Sequence, residues 1–319
     1  MPILMGLLPR SFLNDLKRDT TFNEASFERE YESKWTGDVE DAFFSGEKFD
    51  RNRTIKQPEY EFSKRSGSRA FYIISVDVGR KDCATVATVL KVTPQPMGSA
   101  IKSLVAVYSR TASHFREQAV WLKKLFYKYK ARRLIIDANG LGVGLMDEMV
   151  MSQDFGDDEY YPPFGVYGGT YADADQEYRK FRTDDTEDDA IYAIKANAPI
   201  NSEAYSTTKA QLDAGKIKFL ISERDAKNKL LGTKMGQAMT PEQRNNYLAA
   251  YTLTDILKEE LLNLREKTGT GLNIILEQAN KNVKKDKVSA LIYGIYYLRE
   301  EEENKKRKRA SISDFMFLN

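Results

Sequence analysis

Three aspartates stand where carboxylates can gather around divalent metal ions. Asp77 ends the apolar run Phe71-Tyr-Ile-Ile-Ser-Val-Asp77, Asp137 ends Leu134-Ile-Ile-Asp137, and Asp286 opens Asp286-Lys-Val-Ser-Ala-Leu-Ile. Two sit at the carboxyl ends of strand-like segments and the third at the start of an amphipathic helix. Hydrolysis of a phosphodiester requires an activated water and stabilised charge on the attacking and leaving oxygens. Two divalent ions about 3.5–4 Å apart do both. Hard ions such as Mg²⁺ or Mn²⁺ take oxygen ligands, so a few carboxylates suffice. Asp82, across a glycine-containing turn from Asp77, is a weaker fourth candidate.

Taken singly, each acid has a plainer reading. Asp77-Val-Gly79 is a common strand-to-turn sequence, Asp137-Ala-Asn-Gly140 a common turn, and Asp286 an ordinary helix cap. For Asp82 the plainer reading, a solvated turn acid, is favoured. The joint pattern, two strand-end acids followed by a helix-start acid, favours a shared site.

Other chemistry finds little support. The single histidine, His114, excludes a histidine-rich zinc site, and a surface role suits it better than a catalytic triad. The single cysteine, Cys83, excludes an internal disulfide and fits a reducing compartment. Gly140-Leu-Gly142-Val-Gly144 follows a strand and opens a helix, but lacks the dinucleotide spacing because Leu145 stands where the third small residue belongs. Those glycines suit a close approach of backbone to the metal edge or to phosphate. No phosphate-binding GxxxxGK[ST] loop occurs, so an ATPase motor would lie outside this chain.

The elements that must position the acids read as an α/β chain. The 319 residues are 41% hydrophobic, which supports a real core, and Lys and Arg (49) nearly balance Asp and Glu (47), so any polyanion would be held by a local basic face. The strongest basic run is Lys305-Lys-Arg-Lys-Arg309. No apolar run reaches membrane-spanning length and no signal-peptide pattern opens the chain. Residues 1–69 read as a charged linker region with one helix, begun by Thr21-Phe-Asn-Glu24 and striped by Phe27, Tyr31 and Trp35; 56–68 is a polar linker. Residues 71–78, 83–92 and 101–109 predict a three-strand antiparallel meander. A helix over 115–130 and a strand over 133–136 parallel to the first follow. Strands are expected at 164–167, 216–221 and 272–276, helices over 187–214 and 241–267, and a last helix over 286–301. A flexible basic tail over 302–319 completes the pattern.

With those segments in place, the chain resembles the nuclease domain of the large terminase subunit of tailed bacteriophages. The resemblance rests on Ser75-Val-Asp77-Val-Gly79 with Asp82, Ile135-Ile-Asp137-Ala-Asn-Gly-Leu-Gly142, Lys285-Asp286-Lys-Val-Ser-Ala290 and Ala210-Gln-Leu-Asp-Ala-Gly-Lys-Ile-Lys-Phe219. Phe27 to Trp35 and Asp41-Ala-Phe-Phe44 look like the stretch joining motor to nuclease. It implies an RNase H-like mixed sheet over 70–301 flanked by helices, with Asp77, Asp137 and Asp286 as ligands of two Mg²⁺ or Mn²⁺ ions. It further implies cleavage of double-stranded viral DNA concatemers in the cytoplasm of an infected bacterial host. The implied partners are the portal, a small terminase subunit and a separate ATPase part. A resolvase- or transposase-type nuclease and a non-catalytic module docking on DNA or portal are the alternatives.

Overall fold

The computed structural model describes residues 41–63, 69–79, 83–111, 114–156, 159–170, 173–267 and 273–316, with side chains described as far as residue 307. The helix expected around Phe27, and Asp82, lie outside the described residues. In chain order the elements are α1 (Gly46–Arg51), β1 (Arg53–Ile55), β2 (Phe71–Asp77), β3 (Thr85–Thr93), β4 (Ile101–Arg110), α2 (Phe115–Tyr129), β5 (Ala131–Asp137) and α3 (Leu141–Met149). There follow β6 (Gln153–Asp154), β7 (Tyr160–Tyr161), β8 (Phe164–Tyr167), α4 (Ala174–Tyr178), β9 (Glu187–Ile194), α5 (Ala198–Asp213) and β10 (Ile217–Leu220). The last elements are α6 (Glu223–Leu231), α7 (Lys234–Ala238), α8 (Pro241–Leu262), β11 (Leu264–Glu266), β12 (Leu276–Gln278) and α9 (Asp286–Met316).

Among the described residues eight strands form one sheet in the order β1-β10-β4-β3-β2-β5-β9-β8. The meander β2-β3-β4 is antiparallel, while β5 joins β2 in parallel, as expected. β9 and β8 extend the parallel half, and β10 and β1 add parallel strands on the far side. A mixed α/β architecture is therefore observed. Strands β2, β3, β5 and β9 are buried on both faces, and they are near-continuous apolar runs for that reason.

Side-chain alternation divides the core in two. Ile73, Leu90, Ile135 and Ile194 face α5, α8 and α9; Ile74, Val89, Leu134 and Ile191 face α2 and α3. Helix α9 lies across β2 so closely that a Cβ on Gly294 would stand 3.0 Å from the Cβ of Ser75.

Four expectations are corrected. Residues 187–194 form strand β9, not helix; the charged start Glu187-Asp-Asp masks the apolar run Ala190–Ile194, which only an interior sheet position explains. The strand expected at 272–276 is β12, displaced to 276–278. The last helix does not stop near Glu301 but continues to Met316 into the stretch expected as a flexible tail. The linker expected before residue 70 is, from Asp41, part of the packed domain. Phe43, Phe44 and Phe49 are buried, Phe49 stacks on Phe219 with ring centroids 3.9 Å apart, and β1 completes the sheet. No described helix is long and apolar enough to cross a membrane.

Candidate functional site

Strands β2 and β5 run side by side in parallel with Val76 opposite Ile136, so Asp77 and Asp137 end adjacent strands at one edge. Side-chain alternation places both on the α9 face, two residues beyond Ser75 and Ile135. Asp286 begins α9 at this same edge. The Thr88 hydroxyl on β3 donates to the Ala290 carbonyl at 3.2 Å, tying the first turns of α9 to the sheet. The charges fit this placement. Burial, then Asp286 and then Asp137, push the Asp77 carboxyl up to about 7, with Lys285 acting in the opposite sense. Burial also raises Asp137, opposed by N–H groups of Asn139 and Ala196. All three carboxylates are half-buried.

Asp137 does the turn work its sequence suggests as well, its Oδ1 accepting from the Asn139 N–H at 3.1 Å. The Asn139 side chain in turn donates to the Ala196 carbonyl at 2.8 Å. Asp286 does not serve as the helix cap for the first turn of α9. Glu260 takes that part: its Oε2 accepts from the N–H groups of Lys287 at 2.8 Å and Val288 at 3.1 Å, and its Oε1 from Lys287 Nζ at 2.9 Å. A carboxylate at a helix amino terminus satisfies otherwise unpaired N–H groups and suits the helix dipole. With Glu260 in that role, Asp286 lies near enough to raise the Asp77 carboxyl.

Glu260 was missed in the sequence because its partners lie 27 and 28 positions away. The one available signal was an acid at an otherwise interior position of α8, between Leu257 and Leu261. Tyr293, two turns after Asp286, was missed too. Its hydroxyl donates to Asn201 Oδ1 at 2.9 Å, and burial followed by Asp137, Tyr205 and Asp77 raises its pKa. The glycine run has a definite role: a Cβ on Gly142 would stand 1.6 Å from the Asp137 carbonyl oxygen, so only glycine lets α3 start against the strand end. His114 precedes α2, exposed and without a capping bond from its side chain.

The donors fit a hard divalent cation: oxygen only, clustered, and too rich in negative charge for one member to ionise at its ordinary pH. Among the described residues no group of three or more Asp, Glu, His or Cys stands close enough together to hold a metal ion. Asp286 and Asp137 act against ionisation of Asp77, and a bound cation would have to offset that repulsion.

No family model matches the chain, and no curated protein matches it. Among solved structures it is similar to the large terminase nuclease from thermophilic phage G20c with bound magnesium, at 12% identity and a TM-score of 0.45, covering 81% of this chain and 97% of that one. It is also similar to the large terminase nuclease domain of Thermus phage P74-26, at 13% identity and a TM-score of 0.38, covering 75% and 88%. A third is the HK97 bacteriophage large terminase, at 8% identity and a TM-score of 0.42, covering 80% of this chain and 43% of that one.

Proposed function

We propose that the chain is a metal-dependent endonuclease that cuts double-stranded DNA, with Asp77, Asp137 and Asp286 as the ligands of two Mg²⁺ or Mn²⁺ ions. The observation that carries this reading is that three remote aspartates come to one sheet edge, where burial first and then Asp286 and Asp137 lift Asp77 to about 7. Bound there, the ions would supply an activated water and neutralise charge on the phosphate. The chain's own groups do the rest. Asp77 gives up its proton as the site loads, Asp137 and Asp286 share the charge, and Glu260 holds the start of α9. Lys285, whose charge acts on Asp77, offers positive charge to an incoming phosphate.

The motifs around these acids extend the proposal to cleavage of concatemeric viral DNA during genome packaging, in the cytoplasm of an infected bacterium. The chain would work there with a portal, a small terminase subunit and an ATPase part. The decisive experiment is nicking of supercoiled plasmid with Mg²⁺ or Mn²⁺, alongside calorimetric titration of Mn²⁺. Wild type should cut and bind two ions per chain. Asp77→Asn should lose cutting by at least a hundredfold while keeping its circular dichroism spectrum. Undiminished cleavage by that variant would overturn the assignment, and a wild-type chain that takes up no Mn²⁺ would be a docking module instead.

A further inference from the structure

A second feature opens at the edge that carries the acids, on the opposite face of the sheet. Thr85 pairs with Arg110, while Asp77 pairs with Val86 and Val86 with Ser109, so Arg110 ends β4 one residue beyond the level of Asp77 and two strands away. That offset is about 10 Å across the sheet. The Thr85 hydroxyl meets Gln118 of α2 at 2.7 Å, which puts Thr85 and its partner Arg110 on the α2 side. There a cavity of about 320 Å³ is lined by Trp121, Phe155 and Val120, with Arg110, Arg116 and Lys124 around them.

The chemistry of this cavity is specific. Its walls are mainly apolar and aromatic, yet three cations surround them and Glu117 is the one acid among the lining residues. Lys124 is engaged by Glu159 at 2.5 Å. Among the described residues no carboxylate forms an ion pair with Arg110 or Arg116, and both are exposed. The Arg110 guanidinium lies 5.4 Å from the Trp121 ring centre, and the Trp121 ring is half-buried. An aromatic face beside unpaired guanidinium groups suits a nucleotide, whose base stacks and whose phosphates are anionic. The cavity is at the small end for ligand sites, right for one base rather than a strand.

We propose that this cavity holds an unpaired nucleotide of the DNA away from the cut, its base against Trp121 and its phosphates on Arg110 and Arg116. The inference rests on the nuclease reading of the acid edge and names a substrate-binding position for it. Trp121 and Trp35 are the chain's two tryptophans, so Trp35→Phe leaves Trp121 as the sole indole reporter.

The test titrates that protein, in EDTA to prevent cutting, with a short duplex bearing a single-stranded overhang, and in parallel with poly-glutamate. Trp121 emission should be quenched by the DNA and not by the polypeptide. Arg110→Ala with Arg116→Ala should weaken DNA binding at least tenfold and lower the slope of log affinity against log salt by about 1.4–1.8. Unchanged emission at saturating DNA, an unchanged salt slope, or equal quenching by poly-glutamate would overturn the proposal. The two readings fail separately: Asp77→Asn should still quench on DNA, whereas cutting by Asp77→Asn would remove the nuclease reading whatever the emission does.

Discussion

At Asp77 the folded carboxyl titrates at about 7, against 3.8 for the free side chain. Between those values the folded chain keeps a proton that the unfolded chain has released. Unfolding therefore becomes easier as pH rises through that window, and above about 7 the effect is complete. In EDTA the thermal midpoint of wild type should fall relative to that of Asp77→Asn between pH 4 and pH 7. With Asp77 half-buried, a penalty on the order of 2 kcal/mol is expected, equivalent to about 3 °C at this size. Parallel midpoint curves for the two proteins would exclude an unusual carboxyl at Asp77. The same proton must leave before a cation enters, so Mn²⁺ affinity should climb steeply up to about pH 7 and level off above it. Asp77, Asp137 and Asp286 were legible in sequence because each stands at the end or beginning of an apolar run. Glu260 and Tyr293 were not, because their importance comes from partners on other elements.

The element that decides the site's geometry is α9. Its 31 residues make a rod of about 46 Å, fixed at both ends of the sheet. Near its start Glu260 bonds Lys287 and Val288; farther along, Glu302 meets buried Lys102 at 3.2 Å and Glu301 meets Arg132 at 3.0 Å. Glu260→Ala would leave the buried Lys287 ammonium without its partner, a loss of about 3–5 kcal/mol seen as a lower thermal midpoint. Glu260→Gln is the sharper variant, since it keeps the shape and one acceptor. It should lower kcat and Mn²⁺ affinity at least tenfold with KM for plasmid little changed, as expected of a positioning residue. Wild-type kcat and Mn²⁺ affinity in that variant would mean that the start of α9 is held by other contacts. The sequence located the apolar face of α9 through Val288, Leu291, Ile292 and Ile295, all buried. Its far end was misjudged because Lys305 to Arg309 has no apolar periodicity; ion pairs of the Glu301–Lys305 kind take its place there.

At the scale of the whole molecule, the meander and the β5 crossover were readable because strong alternation and short turns leave few other topologies. The strand β9 and the membership of residues 41–63 were not, since both depend on what the rest of the chain leaves uncovered. β1 shows this best. Three residues, Arg-Thr-Ile, have no strand signal of their own, yet they pair with β10 and end the sheet. A protein shortened to begin at Ala70 would lose this pairing together with Phe43, Phe44 and Phe49, baring β10 as a row of open N–H and C=O groups beside a stripped apolar surface. Unprotected sheet borders recruit other chains. Such a truncation should elute in size-exclusion chromatography as concentration-dependent oligomers, whereas one beginning at Asp41 should keep the profile of the full chain.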